Sequence, residues 1–367
     1  MELIGTLSTK TSELPAASNV ALGLQGHNVA RFHCLGSMKR HRCLKFLVVV
    51  VLFLFSYYLF YDKMKSSGSS LILMQLAGVK KTEDDLTTGS KRKNPFLCSS
   101  DIGYKRWPAH KMTVPEILPF GTLSSERYFQ AVLDNLKKCD LPNKLKNIPY
   151  LNCIVVGNGG ILRNKTLGKK IDSYDVVIRI NSGPVIGYED DVGNKTTFRF
   201  CYPESVFSEH SQYDADTTLV FIPFKSVDLR WLKEVLLKKK VSMRGFWKKT
   251  PTQLIYKNSQ IRILKPSMVQ KAAFDLLNLP KVIPWPKPSQ YPTTGIIAIT
   301  MALSICDKVH IAGFKYDVYS PNSTLHYYGN DTMSAMEKML YHNVTAEQML
   351  LKKLKSSNTI FDLTGTF

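Results

Sequence analysis

The chain has 367 residues, of which 44% are hydrophobic and 21% are charged, and its formal net charge is +20. This composition excludes an intrinsically disordered protein and leaves room for one large domain or two ordinary ones. The positive charge favours an anionic partner such as a membrane face, a nucleotide or a nucleic acid, although the lysines are spread along the chain.

The first predicted element is an apolar helix at residues 44–61, which we interpret as a transmembrane signal anchor. Its uncharged core runs from Phe46 to Tyr61, slightly short of the about 20 residues of a typical span. The basic flank precedes it, with Lys39, Arg40, Arg42 and Lys45. The positive-inside rule then places the N-terminus in the cytosol and the bulk of the chain in the lumen. A buried core helix is the alternative.

This topology divides the chain into four predicted parts. Residues 1–43 form a cytosolic tail, residues 44–61 the anchor, residues 62–95 a stem rich in Ser, Gly, Thr and charge, and residues 96–367 a luminal folded domain. An oxidising lumen permits disulfides. Five cysteines lie on the luminal side, at positions 98, 139, 153, 201 and 306, so at least one thiol stays free.

From about Cys98 onward the pattern is that of a folded domain. Five apolar runs predict buried strands, namely CIVVG, DVVIRI, TTLVFI, IRIL and KVHIAGF. Helical patterns lie between several of them, such as SVDLRWLKEVLLKKK and MVQKAAFDLLNL. The alternation predicts an α/β domain with a largely parallel sheet that is covered on both faces. Such sheets bind ligands beyond the carboxyl ends of their strands.

A glycine-rich turn follows the first of these strands, in CIVVGNGGILRN. Glycines let the backbone approach a phosphate or sugar closely, and a helix after them would offer free N–H groups. Leu162 stands where a dinucleotide fingerprint needs its last glycine. A nucleotide site and a plain tight turn therefore both remain possible. Asn158 and Asn181 are candidate nucleotide ligands, with Asx-turn chemistry as the alternative for both.

A second candidate site is the stretch YPTTGIIAITMALSIC, from Tyr291 to Cys306. Its first residues predict a turn, and the apolar run after them predicts a buried helix. The start of that helix would present free amides and two hydroxyls to a phosphate. The alternative is that Thr293 only caps the helix.

Two histidines, His326 and His342, bracket a predicted amphipathic helix near the C-terminus. Its apolar positions follow helical spacing and are predicted to face the core: Met333, Met336 and Leu340. We expect His342 to open the next helix, with Thr345 and Gln348 as a capping box. A helix start lowers the pKa of a nearby histidine, so His342 would be neutral and able to accept a proton. Two structural histidines are the alternative.

No metal site is predicted. The run DAD at Asp214–Asp216 has a metal-binding form, but it lies in the polar loop SEHSQYDADTT, which favours a solvated turn. The luminal cysteines also lack C-x-x-C pairs.

Four ordered segments together resemble the motifs of the animal sialyltransferases. The long motif corresponds to CIVVGNGGILRNKTLGKKIDSYDVVIRINSGPVIGYEDDVGNKTTFRFCYPES and the short one to PTTGIIAITMALSICDKVHIAGF. The third motif matches HYYG and the very short one HNVTAE. YPES, GFWKK and HYY further resemble the α2,3 branch, which acts on terminal galactose.

The resemblance implies a single Rossmann-like domain of the GT-A-like variety, and an inverting transfer from CMP-sialic acid that needs no metal or other cofactor. The expected acceptors are galactose-terminated glycoproteins and glycolipids, in particular those ending in Galβ1,4GlcNAc. It further implies a single-pass type II protein of the Golgi membrane with no nucleic-acid partner.

The resemblance also assigns roles residue by residue. Asn158 and Asn181 would hold the nucleotide, His326 would bind the departing phosphate, and His342 would be the general base. The residues expected around the phosphate and sugar are Tyr202, Tyr291, Thr293, Thr294 and Gly295. The family's disulfide maps onto Cys153 and Cys306, which leaves Cys98 with Cys139 and a free Cys201.

Three positions depart from the family pattern: Tyr150 and Lys315 replace a frequent cysteine and glycine, and Cys201 is an additional cysteine. Tyr150 and Lys315 keep a second class open, a luminal protein that binds nucleotide or glycan without turnover. Within the enzyme class, the alternative acceptors are Galβ1,3GalNAc and lactosylceramide. A nicotinamide oxidoreductase ranks below these, because the glycine spacing fails.

Overall fold

The computed structural model describes residues 50–58, 92–103, 116–281, 290–315, 320–337 and 341–365. The chain divides into two units, Met1–Gly68 and Ser69–Phe367. Within the first unit, residues 50–58 are helical and exposed. No helix in the described ranges has both the length and the apolar character needed to cross a bilayer. The predicted tail, the remainder of the predicted anchor and the stem up to residue 91 lie outside the described residues.

The second unit is built on a sheet of seven strands in the order β5-β4-β3-β2-β1-β6-β7, and every neighbouring pair is parallel. The strands are β1 Asn152–Val156, β2 Val176–Ile180, β3 Phe198–Cys201, β4 Thr218–Phe221, β5 Ile261–Ile263, β6 Lys308–Ala312 and β7 Phe361–Asp362. The five predicted strands and the parallel sheet are confirmed, whereas β3 and β7 were not predicted.

Nine α-helices connect or cover the strands in the described part of this unit. They are α1 Glu126–Leu133, α2 Asn143–Lys146, α3 Gly168–Asp172, α4 Glu189–Val192, α5 Ser226–Leu236, α6 Pro266–Gln270, α7 Thr294–Ile305, α8 Ser334–Glu337 and α9 Val344–Ser356. The two predicted helices between strands are confirmed: SVDLRWLKEVL is α5, and the MVQKAAFDLL segment is α6 followed by a π-helical turn at Lys271–Leu276.

The predicted apolar helix is α7, and all but one of its twelve residues are buried. A helix that is hydrophobic all round belongs in the interior of a domain. α7 accordingly packs against β1, β2, β3 and β6 in the middle of the sheet. Its first turn therefore lies where several strands end.

The strand order sets the position of the site. β1 is an interior strand, the chain adds β2 to β5 on one side of it, and β6 and β7 then pair on the other side. The order reverses between β1 and β6, and a crevice opens at such a switch point beyond the carboxyl ends of the strands. Ligand-binding residues are expected in the loops that follow β1, β2, β3 and β6.

Two disulfides are formed, Cys98–Cys139 and Cys153–Cys306, and Cys201 is a free, buried cysteine. Both predicted pairings are confirmed. Cys153 lies on β1 and Cys306 caps the end of α7, so the second disulfide joins this interior strand to this buried helix. Burial raises the pKa of the Cys201 thiol to about 12, which makes this cysteine unreactive near neutral pH.

The Asp214–Asp216 loop is a turn, as expected. The Asp214 carboxylate accepts hydrogen bonds from the Asp216 amide (2.8 Å) and the Thr217 hydroxyl (3.0 Å). The loop leads into the first residue of β4, so it lies at the amino end of the sheet, opposite the crevice.

Candidate active site

The site is assembled by segments that follow the carboxyl ends of the strands. Asn158 follows β1, Asn181 follows β2 and Tyr202 follows β3, while the Tyr291–Gly295 turn leads into α7. The remaining two candidates, His326 and His342, lie on segments that hydrogen-bond to these loops. The residues that the sequence predicts for the site therefore lie at one edge of the sheet, where the topology predicts the crevice.

The glycine-rich turn packs against its neighbouring loops. A Cβ on Gly157 or Gly159 would come within 2.5 Å or 2.7 Å of the Gly313 carbonyl oxygen, and one on Gly160 within 2.3 Å of the Thr324 carbonyl oxygen. Only a 3₁₀ turn, Gly160–Leu162, follows directly. The expectation that a helix follows and offers free N–H groups is therefore wrong. The glycines instead allow the loops after β1 and β6 to meet.

Asn158 joins the first two strand ends. Its side-chain nitrogen lies 3.4 Å from the Ile180 carbonyl oxygen at the end of β2 and 3.4 Å from the Tyr328 hydroxyl. Its own carbonyl accepts a hydrogen bond from the Tyr327 amide at 2.9 Å. A Cβ on Gly183 would lie 2.4 Å from the Asn158 side-chain oxygen, so the space around this amide depends on a glycine that the sequence analysis did not single out.

Asn181 has the left-handed backbone conformation, with φ of 54°, which asparagine tolerates better than most residues. Two neighbours fix it: its amide donates to the Phe200 carbonyl at 2.7 Å, and the buried Arg199 guanidinium donates to its carbonyl at 2.9 Å. Its side-chain oxygen is buried and has no hydrogen-bond partner in the described part of the chain. A buried acceptor of this kind is stabilised when a ligand donates to it.

His326 lies beside the glycine-rich turn, because it forms an antiparallel bridge with Gly159. Its ring stacks on that of Tyr328, with centroids 5.1 Å apart and planes 8° from parallel. Burial lowers the pKa of His326 below its ordinary value, although Asp331 opposes the shift. The imidazole is therefore neutral near pH 7 and held in a fixed orientation next to Asn158.

Tyr202 closes the site on the β3 side. Its ring packs edge-on against Phe224 at 5.6 Å, and its backbone is held by the Ser205 hydroxyl, which accepts from the Tyr202 amide at 3.0 Å. Burial raises the pKa of the Tyr202 phenol to about 12. The phenol is therefore a neutral hydrogen-bond donor at physiological pH.

Thr293 caps α7, because its hydroxyl oxygen accepts from the Ile296 amide at 3.4 Å. The hydroxyl and amide of Thr293 in turn donate to the two oxygens of the buried Glu347 carboxyl, at 2.7 Å and 2.8 Å. Thr293 therefore caps α7. A phosphate role for Thr293 stays a prediction, and it requires the hydroxyl to exchange partners. The amides of Thr294 and Gly295 belong to the first turn, which has no intrahelical carbonyl partner.

His342 immediately precedes the cap of α9, at the end of a segment that lies against the Tyr291 turn. Its Nδ1 is 2.8 Å from the Tyr291 carbonyl oxygen, and the Tyr291 amide donates to the Tyr341 carbonyl at 2.9 Å. A carbonyl can only accept, so Nδ1 carries the proton and Nε2 carries the lone pair. Burial lowers the pKa of His342. The arrangement leaves Nε2 able to accept a proton near neutral pH.

The predicted Thr345 and Gln348 capping box is wrong. Asn343 caps α9, since its side-chain oxygen accepts from the Ala346 amide at 3.0 Å, and Gln348 donates to the Phe314 carbonyl at 2.9 Å. Asparagine is the better cap here, because its short side chain reaches the third amide of the helix. The Gln348 contact ties α9 to the loop after β6.

The sequence analysis missed three residues that support the site. Arg199 holds the Asn181 loop, Tyr328 stacks on His326, and Glu347 binds Thr293. The sequence could have identified Arg199, because FRFC places a charged residue among apolar ones and a buried charge needs partners. Glu347 lay within HNVTAE, but only the fold shows that it faces α7.

Glu347 gives the first testable prediction. Burial raises the pKa of its carboxyl to about 7 in the folded protein, from 4.5, so its contribution to the free energy of unfolding is greatest below pH 4.5 and is lost as the pH rises through about 7. Glu347→Gln stays neutral. We expect the melting temperature of Glu347→Gln, relative to that of the wild type, to rise as the pH increases from 5 to 8. A difference in melting temperature that stays constant over this range would contradict the buried carboxyl.

Comparisons with known proteins identify the family. The family model for glycosyltransferase family 29 (sialyltransferase) matches residues 99–359. Type 2 lactosamine alpha-2,3-sialyltransferase of Rattus norvegicus is 53% identical over 270 residues, which cover 74% of this chain and 81% of that protein. CMP-N-acetylneuraminate-beta-1,4-galactoside alpha-2,3-sialyltransferase of Rattus norvegicus is 42% identical over 266 residues, which cover 72% of this chain and 70% of that protein.

The fold is similar to a solved structure of the same class. A crystal structure of a mammalian sialyltransferase in complex with Gal-beta-1-3GalNAc-ortho-nitrophenol superposes with a TM-score of 0.58 at 25% sequence identity. The match covers 78% of this chain and 97% of that chain. The similarity therefore extends over nearly all of the solved domain.

Proposed function

We propose that this chain, which belongs to glycosyltransferase family 29, the sialyltransferases, transfers sialic acid from CMP-sialic acid. The proposed acceptor atom is O3 of a terminal galactose in Galβ1,4GlcNAc. The observation that carries the proposal is the pair of histidines. His326 lies beside Asn158 at the end of β1, and His342 is oriented by the turn that opens α7. Each therefore lies at a strand or helix end of the same crevice.

The general base in this proposal is His342. Nδ1–H donates to the Tyr291 carbonyl, which fixes the tautomer with the lone pair on Nε2. Nε2 takes the proton from the galactose O3 hydroxyl as that oxygen attacks the anomeric carbon of sialic acid. The bond from that carbon to the phosphate oxygen breaks, and CMP departs. Attack opposite the leaving group makes the transfer inverting.

The leaving group is a nucleoside monophosphate, which carries less charge than a diphosphate would. Its candidate partners are His326, the Asn158 amide and the first amides of α7, whose positive helix end favours an anion. Fixed donors of this kind stabilise developing negative charge without rearranging. The buried side-chain oxygen of Asn181, which has no partner among the described residues, is suited to a donor group on the nucleotide. We therefore propose that transfer needs no metal and continues in EDTA.

The pH dependence of kcat follows from the His342 geometry. Because burial lowers the His342 pKa below 6.5, the neutral form persists as the pH falls, and loss of activity on the acid side should begin only below about pH 6.5. Initial rates with saturating donor and acceptor from pH 5 to pH 8 test this. An acid limb centred above pH 7 would contradict a buried, neutral base.

The acceptor is proposed from the relatives' names, which specify type 2 lactosamine and β-1,4-galactoside. A second candidate is Galβ1,3GalNAc, because the solved structure of similar fold is a complex with that disaccharide. Initial rates with matched Galβ1,4GlcNAc and Galβ1,3GalNAc acceptors discriminate the two. We expect kcat/KM to be higher for Galβ1,4GlcNAc, and the opposite order would replace the acceptor assignment while keeping the chemistry.

The proposal also includes the cellular context and domain plan. The apolar run at residues 44–61 with its basic flank supports a type II anchor in the Golgi membrane, with residues 62–95 as stem and a GT-A-like catalytic domain from residue 96. Glycoproteins and glycolipids ending in galactose are then the luminal acceptors. Protease protection of intact vesicles tests the topology, because a luminal domain is digested only after detergent is added.

A further inference from the structure

One aromatic side chain is more exposed than any other in the described part of the second unit. Trp247 is 74% exposed, which is unusual for a residue that normally buries most of its surface. It lies in the connection between α5 and β5, in the run LKKKVSMRGFWKK of residues 237–249. This run includes six basic residues and no acidic one.

The connection that carries Trp247 is held in place by hydrogen bonds to α5. Arg230 donates to the Arg244 carbonyl at 2.7 Å, and Glu234 accepts from the Ser242 amide at 2.9 Å. Gly245, with φ of 95°, lies close to Val227, since a Cβ on it would lie 3.4 Å from the Val227 side chain. The indole is therefore presented by a braced segment.

The same segment is continuous with the active site through Lys225. The Lys225 ammonium donates to the Gly245 carbonyl at 2.8 Å and lies 4.9 Å from the Phe246 ring centroid. It also donates to the buried Glu204 carboxylate at 3.1 Å. Glu204 lies two residues after Tyr202, whose ring packs on Phe224, the residue before Lys225. Trp247 is thus tied to the β3 and β4 side of the crevice.

We infer that Trp247 forms an acceptor subsite, in which the indole face binds the N-acetylhexosamine next to the terminal galactose. The inference rests on the proposed function, because O3 of galactose must reach His342 while the next sugar points out of the crevice towards its rim. An exposed indole offers a large, flat, rigid surface to the C–H face of a pyranose. Lys248 and Lys249 supply donors for the sugar hydroxyls and acetamide oxygen beside it.

A sugar fits this surface better than a membrane does. Binding to a bilayer surface needs a broad apolar face, whereas the other apolar side chains here, Leu237 and Met243, are each only 37% exposed. Phe246 lies under Lys225. One ring at the edge of a crevice matches one sugar ring.

The test is Trp247→Ala in the full-length chain, assayed with N-acetyllactosamine and with methyl β-galactoside, which lacks the second sugar. We expect KM for N-acetyllactosamine to rise about tenfold, as for an exposed aromatic anchor, with kcat within twofold. KM for CMP-sialic acid and kcat/KM for methyl β-galactoside should stay unchanged. Trp247→Phe, which keeps a flat ring, should restore most of the loss.

A matched control is Tyr150→Ala, since Tyr150 is also an exposed aromatic, at 48%, but precedes β1 at the opposite edge of the sheet. This variant should leave kcat and KM unchanged with both acceptors.

An equal loss of kcat/KM on both acceptors, or no change in Trp247→Ala, would overturn the subsite. A loss confined to lactosylceramide in vesicles would assign the surface to the membrane instead. If the wild-type chain transferred to neither acceptor, the proposed function would fail, and binding of N-acetyllactosamine to wild type and Trp247→Ala by calorimetry would then decide the subsite alone.

Discussion

Replacing His342 with alanine is expected to lower kcat by about 10²- to 10⁴-fold, the usual contribution of a positioned general base. The galactose hydroxyl then has no group to take its proton during attack. Binding of CMP should be nearly unchanged, because His342 is not among the proposed CMP ligands, which are Asn158, Asn181, His326 and the first amides of α7. Initial rates of transfer and calorimetric titration with CMP measure the two effects separately.

Two further variants make this experiment specific. His342→Gln keeps a donor for the Tyr291 carbonyl but cannot accept a proton near pH 7, so it should lose as much activity as alanine. His326→Ala should instead weaken CMP binding as well as kcat, since His326 borders Asn158. Full activity in both His342 variants would remove the base assignment. A wild-type chain that binds CMP without any turnover would favour a binding protein, the class that Tyr150 and Lys315 kept open.

Removing the Cys153–Cys306 disulfide is expected to have the largest effect on stability. The two cysteines are 153 residues apart, and a crosslink over so long a loop stabilises the folded state by about 5 kcal/mol in the chain-entropy description. The double variant Cys153→Ala with Cys306→Ala leaves no unpaired partner thiol. Its melting temperature should fall by about 10–15 °C for a domain of this size, as measured by circular dichroism in oxidising buffer.

The other disulfide provides the comparison. Cys98 and Cys139 are 41 residues apart, so the same description gives a smaller stabilisation of about 4 kcal/mol. The variant lacking Cys98–Cys139 should therefore melt above the variant lacking Cys153–Cys306. A fall of less than about 3 °C on losing Cys153–Cys306 would show that packing of α7 against β1, and not the crosslink, holds the central pair together.

The fold was largely predictable because its central strands are buried on both faces. Such strands appear as runs rich in Val, Ile and Leu, and the five that were predicted are of this kind even where Arg179 or Arg262 interrupts them. β3 was missed because FRFC surrounds the charged Arg199 with no Val, Ile or Leu, whereas each of the five predicted runs contains such residues. β7 was missed because it is two residues long and its side chains are exposed or half-buried.

The sequence identified the candidate residues through the order of their motifs. The contacts that each residue makes could be determined only from the fold. The glycine turn illustrates the difference: the sequence indicates close approach, but only the structure shows that Gly313 is what approaches Gly157 and Gly159. The Glu347 contact with Thr293 joins residues 54 positions apart. No local pattern encodes such a pair, because it depends on how α9 packs against the start of α7.

The central claim is tested most directly by incubating the full-length chain in detergent with CMP-sialic acid and a Galβ1,4GlcNAc acceptor in EDTA, and determining the product linkage by NMR. The account predicts a single α-sialoside at O3 of galactose and release of one CMP for each bond formed. Linkage at O6, or transfer only after a divalent metal is restored, would contradict it.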